Sequence, residues 1–152
     1  MTLYPKLNKI TDGEFLIVCS SYLDFIRLKN HFEEGREDYS GLSEYTDNTR
    51  TTLQQFKKQN LRFLLYTERH FYFNGISPKD FPVNHVIFYT LPENAFMYTS
   101  FAAKCIAKRK FYAPCKMISI FSKFDALKLE RLLGTKKSVS LIQSKLTKHT
   151  FE

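Results

Sequence analysis

A loop that cradles phosphate needs glycines at fixed spacing, so that backbone N–H groups wrap the oxygens and a following lysine reaches them. The 152 residues hold five glycines, and none falls into a Gly-x4-Gly-Lys-Ser/Thr or Gly-x-Gly-x-x-Gly arrangement. The nearest approach, Gly134-Thr135-Lys136, has Leu129 where the first glycine belongs. His31, His70, His85 and His149 show no metal-ligand spacing, and Cys19, Cys105 and Cys115 form no CxxC pair. Neither a metal site nor a disulfide framework is expected, and Cys19, inside an apolar run, reads as a small buried hydrophobe. His70, in Glu68-Arg69-His70, is the most suggestive histidine, yet a lone histidine reads first as structural. No nucleophile elbow and no acid–base pair stands out. The residue types alone predict a chain without cofactor, metal or catalytic motif.

The cations carry more information. Formal net charge is +8, but residues 1–103 hold 11 Lys+Arg against 12 Asp+Glu and residues 104–152 hold 12 against 3, giving −1 and +9. Such asymmetry predicts a polyanionic partner, RNA first among them. Lys104, Lys108, Arg109 and Lys110 adjoin Phe111 and Tyr112, a mixture that grips phosphates and stacks bases, or equally a helix with a basic exposed stripe and inward aromatics. Gly134-Thr135-Lys136-Lys137 is a second candidate, because backbone amides beyond a helix end bind phosphate oxygens, although such loops also serve as simple caps.

These residues need a scaffold, and the hydrophobic pattern describes one. With 43% hydrophobic and 16% aromatic residues, the chain can bury the core of a single domain. No stretch approaches the roughly 20 apolar residues of a membrane span, and Lys6, Asn8 and Lys9 interrupt any secretory signal. No membrane association is expected. Phe15 to Cys19 is a continuous apolar run, the mark of a strand covered on both faces. Arg62–Thr67, His85–Tyr89 and Met117–Phe121 repeat that pattern, and Gly41–Tyr45 is a shorter candidate. Between them lie helical patterns from Tyr22 through Phe32, from a cap at Thr46, Asp47 or Asn48 to about Asn60, from Ala95 to Lys110, and from a cap at Asp125 to Leu133. Glu68–Phe81 reads as irregular because of Gly75 and Pro78, Pro114 breaks the long helix, and the tail from Ser138 to Lys148 reads as helical. Strands alternating with helices predict a three-layer α/β domain with a mostly parallel sheet flanked by helices, covering residues 12–152 after a lead-in of residues 1–11.

Several phrases resemble the second RecA-like lobe of superfamily 2 helicases. Phe15-Leu16-Ile17-Val18-Cys19-Ser20 looks like its opening strand, and Asn48 to Lys58 like its second helix. Leu64-Leu65-Tyr66-Thr67 stands where a strand ending in Thr-Asp leads to the ATP loop. Val86 to Pro92 followed by Tyr98 looks like the strand before the arginine-finger helix. More specifically, Tyr22-Leu23-Asp24-Phe25-Ile26-Arg27, Ser43-Glu44-Tyr45-Thr46, Leu65-Tyr66-Thr67-Glu68-Arg69, Ser122-Lys123-Phe124-Asp125 and Leu129-Glu130-Arg131-Leu132-Leu133-Gly134-Thr135-Lys136 resemble the C-terminal lobe of the digestive organ expansion factor family. That family is a helicase-like component of the small-subunit processome, and the match spans nearly all of residues 12–152.

The resemblance implies a nucleolar assembly factor for the small ribosomal subunit, with pre-ribosomal RNA and/or small nucleolar RNA and other processome proteins as partners. The departures imply loss of catalysis. Phe101, Lys104 and Ala107 stand where the last helicase motif places arginines, and Glu68 replaces the Asp that follows Thr67 in active relatives. An arginine finger works through bidentate charge on the γ-phosphate, which lysine does not reproduce and Phe and Ala do not attempt. Arg69, Lys108, Arg109, Lys110, Lys136 and Lys137 are the expected RNA- or partner-binding residues, with a Glu68–Arg69 ion pair as the structural alternative. Two other functions remain open on sequence: half of an RNA-dependent ATPase completed by another chain, and a protein-docking domain without RNA contact in which Phe71, Tyr72 and Phe73 form the interface.

Overall fold

A computed structural model describes residues 13–110 and 115–150, with the side chains of Arg109 and Lys110 outside the description. The lead-in of residues 1–11, the pair Phe111-Tyr112 and the breaker Pro114 therefore lie outside the described residues. Five strands form one sheet in the order β2-β3-β1-β4-β5, every neighbouring pair parallel. The strands are β1 (Phe15–Cys19), β2 (Tyr39–Leu42), β3 (Phe63–Thr67), β4 (His85–Phe88) and β5 (Met117–Ser119). β1 lies at the centre, Phe15 opposite Phe63 on one side and His85 on the other. All residues of β1, β3 and β4 are buried, which is why their sequence shows no alternation.

Alternate side chains on these strands feed two cores. Leu16, Val18, Leu64, Tyr66, Val86 and Phe88 point to the face covered by three helices: α2 (Thr49–Lys58) through Phe56, α3 (Glu68–Asn74) through Phe71, and α4 (Ala95–Lys110) through Met97, Phe101 and Cys105. Phe15, Ile17, Cys19, Phe63, Leu65 and Ile87 point to the opposite face, where α1 (Tyr22–Glu34) lays down Phe25, Leu28 and Phe32. A separate small core of Leu91, Leu129 and Leu141 joins α5 (Ala126–Leu133) and α6 (Thr135–Gln143) to the end of β4.

Local chemistry sets most helix starts. The side chains of Ser21, Asn48 and Thr67 accept the amide hydrogens of Asp24, Thr51 and His70, the N-cap arrangement that satisfies an orphan donor. The Thr67 cap explains the main departure from the sequence expectation. Residues 68–74 are helical rather than irregular, and only then does Gly75, at φ 60°, end the helix in the left-handed region. Asp125 stands at the start of α5 without capping it; its carboxylate accepts from the amide and hydroxyl of Ser122 and closes a 3-10 turn over Lys123–Asp125. The tail helix begins earlier than expected, at Thr135, and ends at Gln143.

Candidate nucleic-acid and partner interface

Elements leaving the carboxyl ends of the strands carry the residues of interest. Thr67 ends β3, almost fully buried, and its hydroxyl donates to Glu44 Oε2 at 2.9 Å while accepting from His70 N. Glu68 is buried at the first position of α3. Its two carboxylate oxygens accept the amides of Glu93 and Asn94 at 3.0 and 3.2 Å, tying α3 to the loop before α4. Burial pushes this carboxyl above its ordinary range, and the two amide donors pull it part of the way back. The expected Glu68–Arg69 pair is thus replaced: Glu68 is saturated by backbone donors, and exposed Arg69 lies over the Phe73 ring at 5.4 Å.

His70 is fully buried. Its Nε2 meets Thr49 Oγ1 at 2.8 Å and its Nδ1 meets Tyr66 OH at 3.4 Å. Burial lowers its proton affinity, with Glu44 acting in the opposite sense. It joins α2, β3 and α3 as a structural histidine. His85 is likewise buried, accepting the Lys116 amide at Nδ1.

The three positions that resemble arginine-finger sites face a different environment from that of a catalytic cation. Phe101 is completely buried, its ring among Phe71, Phe81 and Phe88. Lys104 is buried with Nζ 2.7 Å from the Phe81 carbonyl oxygen. Burial pushes its ammonium down to about 8, and the neighbouring Lys108 cation adds to the effect. Ala107 is exposed and carries no donor. Lys104 and Ala107 share a cleft of about 640 Å³ with Phe71, Tyr72, Phe96 and Lys79. The cleft is mostly apolar.

The expected contact cations are distributed over α3, α4 and α6. Lys108, half-buried, donates from Nζ to the Val83 carbonyl at 2.6 Å and to Asn84 Oδ1 at 3.2 Å, so this ammonium holds the chain that leads into β4. Arg109 and Lys110 lie on the last turn of α4, with side chains outside the described residues. Lys136 and Lys137 are exposed on the first turn of α6. Exposed aromatics include the Tyr72 and Phe73 expected from the sequence and extend beyond them, whereas Phe71 is buried. Tyr22, Tyr45, Tyr72, Phe73, Phe96 and Phe124 are all exposed and all follow the carboxyl end of a strand. The parallel sheet places every strand exit at one edge; within this set the Tyr22 and Tyr45 rings meet edge to face at 4.8 Å, and Tyr72 and Phe96 line one cleft.

A five-stranded parallel sheet with this order and these flanking helices defines a RecA-like lobe of the helicase type. Solved structures agree: the C-terminal domain of the DEAD-box protein Dbp5 superposes with a TM-score of 0.62 at 13% identity, over 93% of this chain and 78% of that one. The E. coli DEAD-box protein SrmB, in its complex with regulator of ribonuclease activity A, gives 0.63 at 16% identity, over 86% and 74%. The chain belongs to the family described as Utp25, C-terminal domain, whose pattern matches residues 2–151. Among its curated relatives are the U3 small nucleolar RNA-associated protein 25 of Neurospora crassa, 34% identical over 93% of this chain and 20% of the relative, and the Xenopus tropicalis homolog, 30% identical over 98% and 20%. The chain spans about a fifth of the length of these relatives.

Proposed function

We propose that this chain is a non-catalytic, helicase-like assembly module of the small-subunit processome, acting in maturation of 18S-type ribosomal RNA in the nucleolus. In this reading residues 12–152 form one RecA-like lobe, and the chain contacts pre-ribosomal RNA and/or U3-type small nucleolar RNA together with other processome proteins. The relatives' name, U3 small nucleolar RNA-associated protein 25, supplies the setting. The digestive organ expansion factor resemblance and the Utp25 family are taken to be one group. One observation carries the loss of catalysis: the helicase scaffold is kept while Phe101 and Lys104 are consumed by core packing and a backbone carbonyl. A half-ATPase completed by another chain would need a free cation at those positions, and Lys104 is turned inward.

The contact residues in this reading are Arg69, Lys136 and Lys137, with Arg109 and Lys110 on the last turn of α4. A docking role without RNA draws support from the apolar cleft beside α4 and the exposed Tyr72, Phe73 and Phe96. In-cell UV crosslinking of the tagged chain, with sequencing of attached RNA and identification of co-purified proteins, separates the readings. Crosslinks to pre-ribosomal or small nucleolar RNA are expected. Processome proteins without RNA crosslinks would establish docking alone, and recovery of neither would remove the proposed function.

A further inference from the structure

A second cleft, of about 460 Å³, lies between α6 and the tail that follows it. Lys136 and Lys137 from the first turn of α6 line it on one side, and Lys148 and His149 return along the other. Leu141 and Leu146 supply its apolar wall. The Nε2 atom of His149 is buried and has no hydrogen-bond partner among the described residues. Buried ring nitrogens are rarely left unpaired, so this ring has an unmet hydrogen bond at the wall of the cleft. Gly134 precedes α6 and contributes no side-chain cap, so the first-turn amides add the positive end of a nine-residue helix. Residues 131–150 contain five Lys+Arg and no Asp or Glu. The adjacent acid, Glu130, accepts the Thr135 hydroxyl at 2.6 Å.

We propose that the Lys136–Lys137–Lys148–His149 cleft binds the phosphodiester backbone of single-stranded RNA. The lysines neutralise the phosphate, an imidazole N–H at Nε2 of His149 donates to one of its oxygens, and a ribose rests against Leu141 and Leu146. The residues lining the cleft include no Phe, Tyr or Trp ring and no arginine plane, and the one imidazole is engaged with phosphate, so bases are not stacked and the site reads backbone rather than sequence. The inference deepens the proposed RNA contact and rests on it, adding Lys148 and His149 and the class of group they hold.

The test uses the whole chain and fluorescence anisotropy with a short oligouridylate, an oligoadenylate and polyglutamate. Oligouridylate and oligoadenylate are expected to bind within about threefold of each other, because the contacts are to the backbone. Lys148→Glu is expected to weaken oligouridylate binding about tenfold or more and His149→Ala about three- to tenfold, each removing a charge-assisted or buried hydrogen bond. Lys57→Glu, on the exposed face of α2, serves as the charge control and leaves binding near that of the parent chain. The His149 ring signals in a nitrogen–proton spectrum are expected to shift on titration with oligouridylate, which a packing role alone would not produce. Unchanged affinity in folded Lys148→Glu and His149→Ala chains would overturn the site. Equal displacement by polyglutamate would assign the cleft to an acidic protein segment instead. Processome co-purification of the His149→Ala chain separates the two levels: retained association with lost RNA affinity leaves the assembly role standing, whereas RNA binding through the cleft without association removes the role and leaves the site.

Discussion

Lys104 shows how the fold decides the fate of a single charged residue. Its ammonium is buried against the Phe81 carbonyl, and the folded chain holds its proton less tightly than the unfolded one does. Below about pH 8 both states carry the proton and the full burial penalty is present; above the ordinary value of 10.5 neither does. Stability is therefore expected to rise as pH climbs through that window, by about 3 kcal/mol at most. Lys104→Met removes the titrating group, so urea denaturation across the same window should show the parent chain gaining stability relative to the variant. Equal pH slopes for the two would contradict the buried ammonium.

At the scale of elements, two packing contacts make sharp demands. On β2, a Cβ added at Gly41 would lie 2.9 Å from Phe25 Cζ, so α1 sits against β2 more closely than alanine permits. Gly41→Ala is expected to cost about 1–3 kcal/mol by overpacking. Phe25→Leu in the same chain should recover part of that loss, and a double-mutant cycle measured by denaturation detects the coupling. The α5–α6 pair depends on a much smaller core. Leu129→Ala removes one of its three fully buried members and is expected to cost about 2–5 kcal/mol within that pair. Hydrogen exchange should then show faster amides over residues 126–143 with β1 and β3 still protected, because few contacts join the pair to the sheet.

For the whole molecule, charge and nucleotide binding make separable predictions. With a net of +9 over residues 104–152, RNA affinity is expected to fall steeply with salt, the logarithmic slope reporting about 0.7 per phosphate neutralised on a single strand. Measuring that slope before and after Lys136→Glu with Lys137→Glu counts the phosphates those lysines hold; an unchanged slope places the contact elsewhere. Nucleotide makes the opposite prediction. A ligand at 100 times its Kd would stabilise the fold by about 2.7 kcal/mol, so a melting temperature that does not move with millimolar ATP and Mg²⁺ is the expected result. A clear upward shift would reopen the half-ATPase reading.

Sequence pattern alone was enough for the layered α/β fold, because buried parallel strands announce themselves as unbroken apolar runs: Phe15 to Cys19 and Phe63 to Thr67 could hardly lie elsewhere than at the centre of a sheet. It was also enough to exclude charge at Phe101 and Ala107, which carry none wherever they fall. Helix α3 was hidden, because its start depends on the Thr67 hydroxyl turning back to the His70 amide and because Gly75 and Pro78 suggested a loop. The fate of individual cations was equally hidden. Lys104, Lys108 and Lys136 look alike in a sequence; only the fold brings the carbonyls of Phe81 and Val83 to the first two and leaves the third in solvent. The Lys136–His149 cleft belongs to the same class. It depends on a chain reversal after α6, and such contacts leave no periodic trace in the order of the amino acids.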